Sequence, residues 1–564
     1  MKMGPIAPQD PVRQRQFYYV MLDKQVSIFP TPSGKNASII FANDGRLRSA
    51  SELVGNVTDK KMLDLVDTTK GIKELVYGIG VSMITDTGEG AKFFFEQITK
   101  ENSGGTTISC DVTGDGVEYL LPFDAFEWRD DDNTPGQFRF EFENLDVIAS
   151  VNVRFYLNDG YTAPPFEGID KVDPSSEGYK EMICNGVLSL GDTSRLKEVF
   201  KRARAGENVA ITFIGGSITQ GAGSNPINKE CYAYKTYEGF KKIANPKGEV
   251  SYVKAGVGGT PSELGMIRVD KDLIKFGEVE PDVVVIEFAV NDAGDETGGD
   301  CFEGLVRRCL NMKKKPAVIL LFSVFVDDYN LEERLVPIGE YYDLPMVSIK
   351  KAVTKQFYLK KDEGRVIGKN AFFYDRYHPA NIGHTIMADC LINLFEIADK
   401  EDASVSDKSD GSRKALRSSD FDEIHLIDRT HNAYGAVIEM GSFSDTDENL
   451  QACQMDESIE STPQFPDNWR RNGKGSEPFR MKIKCKTLLI VYKDSNSKDE
   501  GDVDVYVDGK FVRKIDPRAI GWVHCNPFVI IREKEVEEHV VEIKMSEGFT
   551  DKNFTILGFG AAVR

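Results

Sequence analysis

Between about residues 190 and 400 the hydrophobic pattern switches repeatedly between two periods, and this alternation limits the fold more than any other feature of the chain. Four apolar runs, Val209 to Ile214, Val250 to Val253, Val283 to Phe288 and Ala317 to Phe322, read as strands. Between them lie helical stretches such as Cys301 to Leu310, which turns Phe302, Leu305, Val306 and Leu310 to one side. A helix precedes the first strand: Asp192 or Thr193 can cap it, Leu196, Val199, Phe200 and Ala203 share a face, and Gly206 ends it. Another, from about Ile382 to Ile397, closes the region. Continuous apolar strands alternating with amphipathic helices imply an α/β fold whose parallel sheet is covered on both faces.

On either side the period is two. Phe138, Phe140 and Phe142 alternate with Arg139 and Glu141, and Val151, Val153, Phe155 and Leu157 alternate with more polar partners. With TGDG and NTPG as turns, this pattern predicts an antiparallel β-sandwich over residues 1–183. After the α/β region at 184–400, the polar, aperiodic stretch 401–420 reads as a linker. Beyond it Val503, Val505 and Val507 lead into Asp508-Gly509 and a returning strand from Phe511, a hairpin signal within a second β-sandwich over 421–564. Three folded units suit a length of 564 residues, and no fixed short repeat suggests a solenoid or propeller.

Composition bounds the partners. Hydrophobic residues make up 41% and charged residues 28%, the balance of an ordinary soluble globular protein. A formal net charge of -20 argues against a nucleic-acid backbone or an anionic membrane as partner and suits a neutral substrate. The N-terminal MKMGPIAPQDPVRQRQ lacks a signal-peptide core, and no run approaches the ~18 apolar residues of a membrane span, so a cytoplasmic location is expected. Nine cysteines, scattered without CxxC pairs, read as reduced thiols packed as small hydrophobes.

Two segments carry the chemistry. In ITFIGGSITQGAG an apolar strand runs into Gly215-Gly216-Ser217, where glycines permit a tight turn that lifts the hydroxyl above the carboxyl edge of the sheet. The segment lacks the GKS or GKT ending of a phosphate-binding loop and the GxGxxG order of a dinucleotide site, although a GGS turn taken alone is more often just a loop. In Tyr374-Asp375-Arg376-Tyr377-His378-Pro379 an aspartate stands three residues before a histidine, so both can project from one loop. A serine is a poor nucleophile until a base takes its proton, which histidine does well when a carboxylate fixes its tautomer. An isolated D-x-x-H is more often a solvated aspartate beside a structural histidine, and two ligands without a third make a poor zinc site. The other histidine of this region, His384, falls inside the last helix pattern, where packing or capping suits it. Two further loops follow predicted strands: Lys254 to Thr260 could present a backbone N–H, and Ala289 to Asp292 a side-chain amide, the donors that a tetrahedral oxyanion requires.

The blocks GGSITQG, KAGVGGTPS, FAVND and DRYHP stand in the order and on the βα pattern of the SGNH hydrolases, the GDSL-type esterases, which residues 185 to 400 resemble. The resemblance implies a three-layer α/β/α SGNH hydrolase domain. It gives Ser217, Asp375 and His378 the triad, assigns Ser217 N–H, Gly259 N–H and the Asn291 amide to the oxyanion hole, and calls for no cofactor or metal. Gly216 stands where the family usually has aspartate, similar to the GGSIT variant of carbohydrate O-acetylesterases; Lys254 stands where the second block often opens with asparagine.

The two β regions are similar in outline to the jelly-roll modules that flank carbohydrate-active esterases. Such modules bind glycan, wall the cleft, or mediate assembly into a homo-oligomer. Trp128, Trp469 and Trp522 could stack on a sugar, though a lone tryptophan in a sandwich is more often core. Asp130 to Asp132 could bind calcium, but a solvated turn is the commoner role. The leading expectation is a carbohydrate acetylesterase, acting on imported acetylated xylo- or manno-oligosaccharides. The alternatives are a lipase or thioesterase of the same superfamily and a non-catalytic glycan-binding scaffold.

Overall fold

A computed structural model of the protein describes residues 3–31, 33–101, 103–400 and 407–563. Packing divides the chain into two compact units: Met1–Asp173 with Gly223–Pro226 and Gln356–Gly383, and Pro174–Ala222 with Ile227–Lys355 and His384–Arg564.

The first unit is built on two five-stranded antiparallel sheets. One runs Gly4–Pro5, Tyr119–Pro122, Val76–Thr85, Ala149–Leu157, Phe17–Val26; the other runs Phe29–Pro30, Asn36–Phe41, Asp132–Phe142, Ala91–Thr99, Gly104–Val112. Their inner faces share one core, in which Phe93, Phe95, Phe138, Phe140, Val151, Val153 and Phe155 are buried. Alternation along each strand sends Arg139 and Glu141 outward while Phe138, Phe140 and Phe142 go in, as the period of two requires. Two details depart from the sequence reading. Residues 46–75 form three short helices, Arg46–Leu53, Lys60–Leu65 and Thr69–Leu75, each too short and polar to give a period of its own. NTPG is no turn but lies inside the strand Asp132–Phe142, where the register against Ala91–Thr99 shifts on either side of the Gln97–Pro135 pair; an irregular ladder accommodates a residue without an N–H.

The second unit holds the α/β layers. Its six-stranded sheet has the order Val187–Ser189, Met346–Ser348, Ala317–Phe322, Val283–Glu287, Val209–Gly215, Val250–Gly256. Every pair is parallel except the first, so the sheet is mixed at one edge; the two three-residue strands there carry no period that sequence could reveal. Successive residues face opposite sides: Phe213 meets Tyr232 edge-on at 5.9 Å, while Ile214 enters a core with Leu305, Val306, Leu320 and Phe322. On the Tyr232 side, Phe200, Phe240 and Phe395 stack the helices Ser194–Ala205, Tyr232–Ala244 and Asn381–Lys400 together. Asp192 accepts the Ser194 N–H, and Gly206, at φ 105°, ends the first of these helices.

The core around Leu305 continues into the C-terminal β region through Leu426, Leu489, Val491, Cys525 and Leu557. That region is an antiparallel eight-stranded sheet, with long strands Phe479–Asp494 and His524–Met545 that shift register near Thr487, beside a separate two-stranded pair. A second core lies around Trp469, Phe479, Tyr492 and Phe559. The Asp508-Gly509 hairpin forms with both residues at positive φ, 51° and 75°, the conformation that a two-residue turn between twisted strands needs. Of the expected linker, residues 401–406 lie outside the described residues. Residues 407–420 form neither helix nor strand and pack by hydrogen bonds: Asp192 accepts the Lys408 N–H, and Glu303 those of Leu416 and Arg417.

Phe140 has no exposure in the N-terminal core, so Phe140→Ala should destabilise that sandwich by about 3–5 kcal/mol. The expected observation is faster amide exchange along Ala91–Thr99; unchanged protection would show that the two sheets do not share one cooperative core.

Candidate active site

Three strand ends are level. Gly215 pairs with Gly256 on one side and with Glu287 on the other, so the loops beginning at Gly216, Val257 and Phe288 leave the sheet at one height. Ser217 opens the short helix Ser217–Gln220, which Gly221 ends at φ 104°. Gly216 is required here: a Cβ would stand 2.1 Å from Asn291 Oδ1 and 2.6 Å from Asn291 Cγ, because the Asn291 side chain passes directly over it. The aspartate usual at this position therefore has no room. Asn291 Oδ1 is buried with no hydrogen-bond partner among the described residues, a cost that marks a site arranged for something other than stability. Gly258 lies beside Ser217, since a Cβ there would be 3.7 Å from Ser217 Cβ.

A buried carboxylate ties the loops after Val257 and Phe288 together. Asp292 accepts the Ser262 N–H at 2.7 Å and the Ser262 hydroxyl at 2.8 Å, fixing the residue after Asn291 to the segment after Gly259. Burial, and then the charge of Asp295, push the Asp292 carboxyl up to about 7 against these bonds and Arg334. Beside Ser262, Glu263 is pushed up to about 10, first by burial and then by Asp295, with which it shares a hydrogen bond. Asp295 accepts from Thr297 N at 2.7 Å and Gly299 N at 2.6 Å, and Glu263, raised so far, keeps its proton at neutral pH.

Lys254, the departure in the second block, is fully buried, and its ammonium donates to Gln220 O at 2.8 Å, joining the strand Val250–Gly256 to the helix Ser217–Gln220. Arg268 clamps the same strand ends by donating to Gly215 O at 2.6 Å and Ala255 O at 2.7 Å. His384 does a packing job: its Nδ1 accepts the Tyr232 N–H at 3.2 Å and its Nε2 bonds Ala222 O at 3.1 Å.

The C-terminal β region reaches this loop set, and sequence reasoning missed it. His524 Nε2 donates to Gly259 O at 2.9 Å, and Gln451 Nε2 donates to Gly258 O at 2.8 Å. Burial pulls the His524 imidazole down to about 4 despite the Gly259 carbonyl, so at pH 7 it is neutral. Trp522 is 46% exposed and packs against Gly259, where a Cβ would be 2.9 Å from its ring; Gly259 also has φ +71°. Trp469 and Trp128 are core-type residues, the first 1% exposed and the second donating to Phe123 O at 3.0 Å. No motif surrounds Trp522 or His524; the one available signal was the pairing of two rare residue types in GWVHC.

The Asp375–His378 pair lies in the first unit. Asp375 accepts from His378 Nδ1 with both oxygens, at 2.9 and 3.0 Å, and also takes the backbone N–H of Tyr377 and of His378. Burial works to raise this carboxyl, but the His378 charge and bond, the Tyr377 N–H and Arg46 outweigh it and hold Asp375 well below the usual carboxylate range. Tyr374 N donates to His378 O at 2.8 Å, closing the loop on itself. Gly223, at φ +91°, passes so close that a Cβ would stand 3.2 Å from His378 Cβ.

Among the described residues one group, Asp428, His431 and Asp467, brings three ligand-type atoms within 4.8 Å. It lies in the C-terminal β region, and its histidine Nδ1 is already bonded to Asp428 at 3.0 Å. Asp131 and Asp132 are engaged by Arg129 and the Thr106 N–H. Among the described residues no helix is long and apolar enough to cross a membrane.

Residues 213–385 match the GDSL-like lipase/acylhydrolase family. With the level strand ends and the four blocks in place, this chain carries an SGNH hydrolase domain. It is similar to a two-domain esterase active on acetylated mannans, with 27% identity and a TM-score of 0.57, covering 67% of this chain and 98% of that one. The structure of such an esterase co-crystallised with mannopentaose gives 26% identity, a TM-score of 0.56, and coverage of 67% and 97%. No curated protein matches.

The raised Glu263 and Asp292 carboxyls make stability pH-dependent. Because folding holds a proton that the unfolded chain releases near pH ~4.3, their contribution is complete below that value and declines as pH rises toward about 10 for Glu263. Glu263→Gln should therefore flatten the fall of Tm between about pH 5 and 10. Parallel Tm-versus-pH curves for the two proteins would contradict the assigned proton.

Proposed function

We propose that this protein is a serine esterase that removes O-acetyl groups from acetylated oligosaccharides, with Ser217 as nucleophile, His378 as general base and Asp375 orienting it. The observation that carries the reading is the Asp375–His378 pair: with Nδ1 bound by the carboxylate, Nε2 is the nitrogen suited to take a proton. In the proposed cycle Ser217 Oγ attacks the acetyl carbonyl as its proton passes to His378. The tetrahedral oxyanion is met by the N–H groups of Ser217 and Gly259 and by the Asn291 amide. The sugar hydroxyl leaves with the proton from His378. Water, deprotonated by the same imidazole, then releases acetate and regenerates Ser217. The cycle requires no cofactor.

Three observations favour a carbohydrate ester. The similar esterase at 27% identity is active on acetylated mannans, which makes acetylated manno-oligosaccharides the first substrates to try and xylo-oligosaccharides the second. The exposed Trp522 ring beside Gly259 offers a sugar a stacking face. A net charge of -20 also suits a neutral substrate.

Mass spectrometry of acetylated manno- and xylo-oligosaccharides should show successive losses of acetyl groups. Ser217→Ala should lower turnover by on the order of a million-fold, and Asn291→Ala by about a hundred- to a thousand-fold. Gly216→Ala, whose Cβ would collide with the Asn291 amide, should fall with Asn291→Ala. Wild-type acetate release by Ser217→Ala would end the assignment. Across p-nitrophenyl esters of increasing chain length, acetate should be preferred; a preference for long acyl groups would point instead to a lipase or thioesterase.

A further inference from the structure

The strand Phe17–Val26 is the edge of its sheet, paired on one side with Ala149–Leu157. Side chains and carbonyls near its end hold the loop that bears Asp375 and His378. Lys24 Nζ donates to Tyr374 O at 2.6 Å and lies 3.2 Å from the centre of the Tyr374 ring. Val26 O accepts from Asn225 Nδ2 at 2.9 Å, and Asn225 exchanges two further bonds with Asn381, at 2.7 and 2.8 Å. From the first short helix, Arg46 brings its Nε to 4.0 Å from Asp375 Oδ2. Its guanidinium is held by Asp44 at 3.3 Å and lies 5.2 Å from the Tyr377 ring. Within this unit the charged and titratable groups around the pair are thus Lys24, Arg46 with Asp44, Arg376, Tyr374 and Tyr377.

We propose that Lys24 and Arg46 of the N-terminal sandwich are positioning residues for the Asp375–His378 pair, so that this sandwich is part of the catalytic apparatus and not only a flanking module. The inference rests on the reading of His378 as the general base. The two cations act in two ways. Lys24 fixes the Tyr374 carbonyl, one residue before Asp375, and both charges favour the ionised carboxylate that holds the imidazole in register. Burying an ammonium is costly; burial brings Lys24 down to about 8, partly offset by the Asp375 charge. A sandwich that needed only a packed edge could place an apolar side chain there.

The test uses the full-length protein, p-nitrophenyl acetate and the pH profile of kcat. Lys24→Met and Arg46→Gln should each lower kcat about ten- to a hundred-fold, the loss expected when a catalytic group drifts by about an ångström. KM and far-UV circular dichroism should stay unchanged. Removing a nearby cation favours the imidazolium, so the acid limb of the profile should move to higher pH. Arg46→Lys and Lys24→Arg should restore most of the limb's position, which a purely structural role would not require. In a His378→Ala background, Arg46→Gln should have no further effect, because its influence passes through the imidazole. Wild-type kcat and an unmoved acid limb in both Lys24→Met and Arg46→Gln, beside an inactive His378→Ala, would overturn the positioning role alone. Full turnover by His378→Ala would remove the base and this inference with it.

Discussion

The loop set around Ser217 depends on a register. Because Gly215 is level with both Gly256 and Glu287, three loops start from adjacent strands at the same height, and the residues just beyond them are neighbours by construction. Parallel strands with evenly spaced hydrogen bonds deliver this arrangement without local strain. What remains is close fitting. Gly216 makes room for Asn291, and Asp292 binds Ser262, so that the second and third loops cannot drift apart. Arg268 and Lys254 donate to carbonyls at the strand ends and at the end of the helix Ser217–Gln220, tying strands and helix together.

The β regions do more than flank the α/β layers. In the second unit, one hydrophobic core runs from the helix Asp300–Leu310 into the C-terminal sheet, and His524 and Gln451 use that continuity to fix two consecutive glycine carbonyls. Fixing the carbonyls of Gly258 and Gly259 sets the planes of the peptides that follow them, and a neutral, buried imidazole performs this task over the whole physiological pH range. In the first unit, the edge strand Phe17–Val26 and the Arg46 helix do the corresponding work for the Asp375–His378 loop.

Much of this was legible in the sequence because it follows from period and composition. The four apolar runs became four parallel strands within a residue or three of their expected limits, and the aromatic alternation at Phe138 to Phe142 became the wall of a sandwich. What escaped was whatever lacks a period. The strands Val187–Ser189 and Met346–Ser348 are three residues each, and the helices between Arg46 and Leu75 are six to eight residues long and mostly polar. NTPG looks like a turn because proline and glycine usually punctuate; only the irregular pairing opposite Gln97 explains their place in a strand. Ser217, Asn291, Asp375 and His378 sit in short blocks that survive as motifs. Trp522, His524 and Gln451 are brought to Gly259 from more than 190 positions away, and Lys24 to Tyr374 across 350, distances over which no local pattern can speak.

The proposed cycle requires Ser217 to carry an activated hydroxyl. The most direct measurement is intact-mass and peptide analysis after brief exposure to a fluorophosphonate. One adduct per chain, located on Ser217 and formed far more slowly in His378→Ala, is the expected result. An adduct at another residue, or equal labelling of the two proteins, would contradict it.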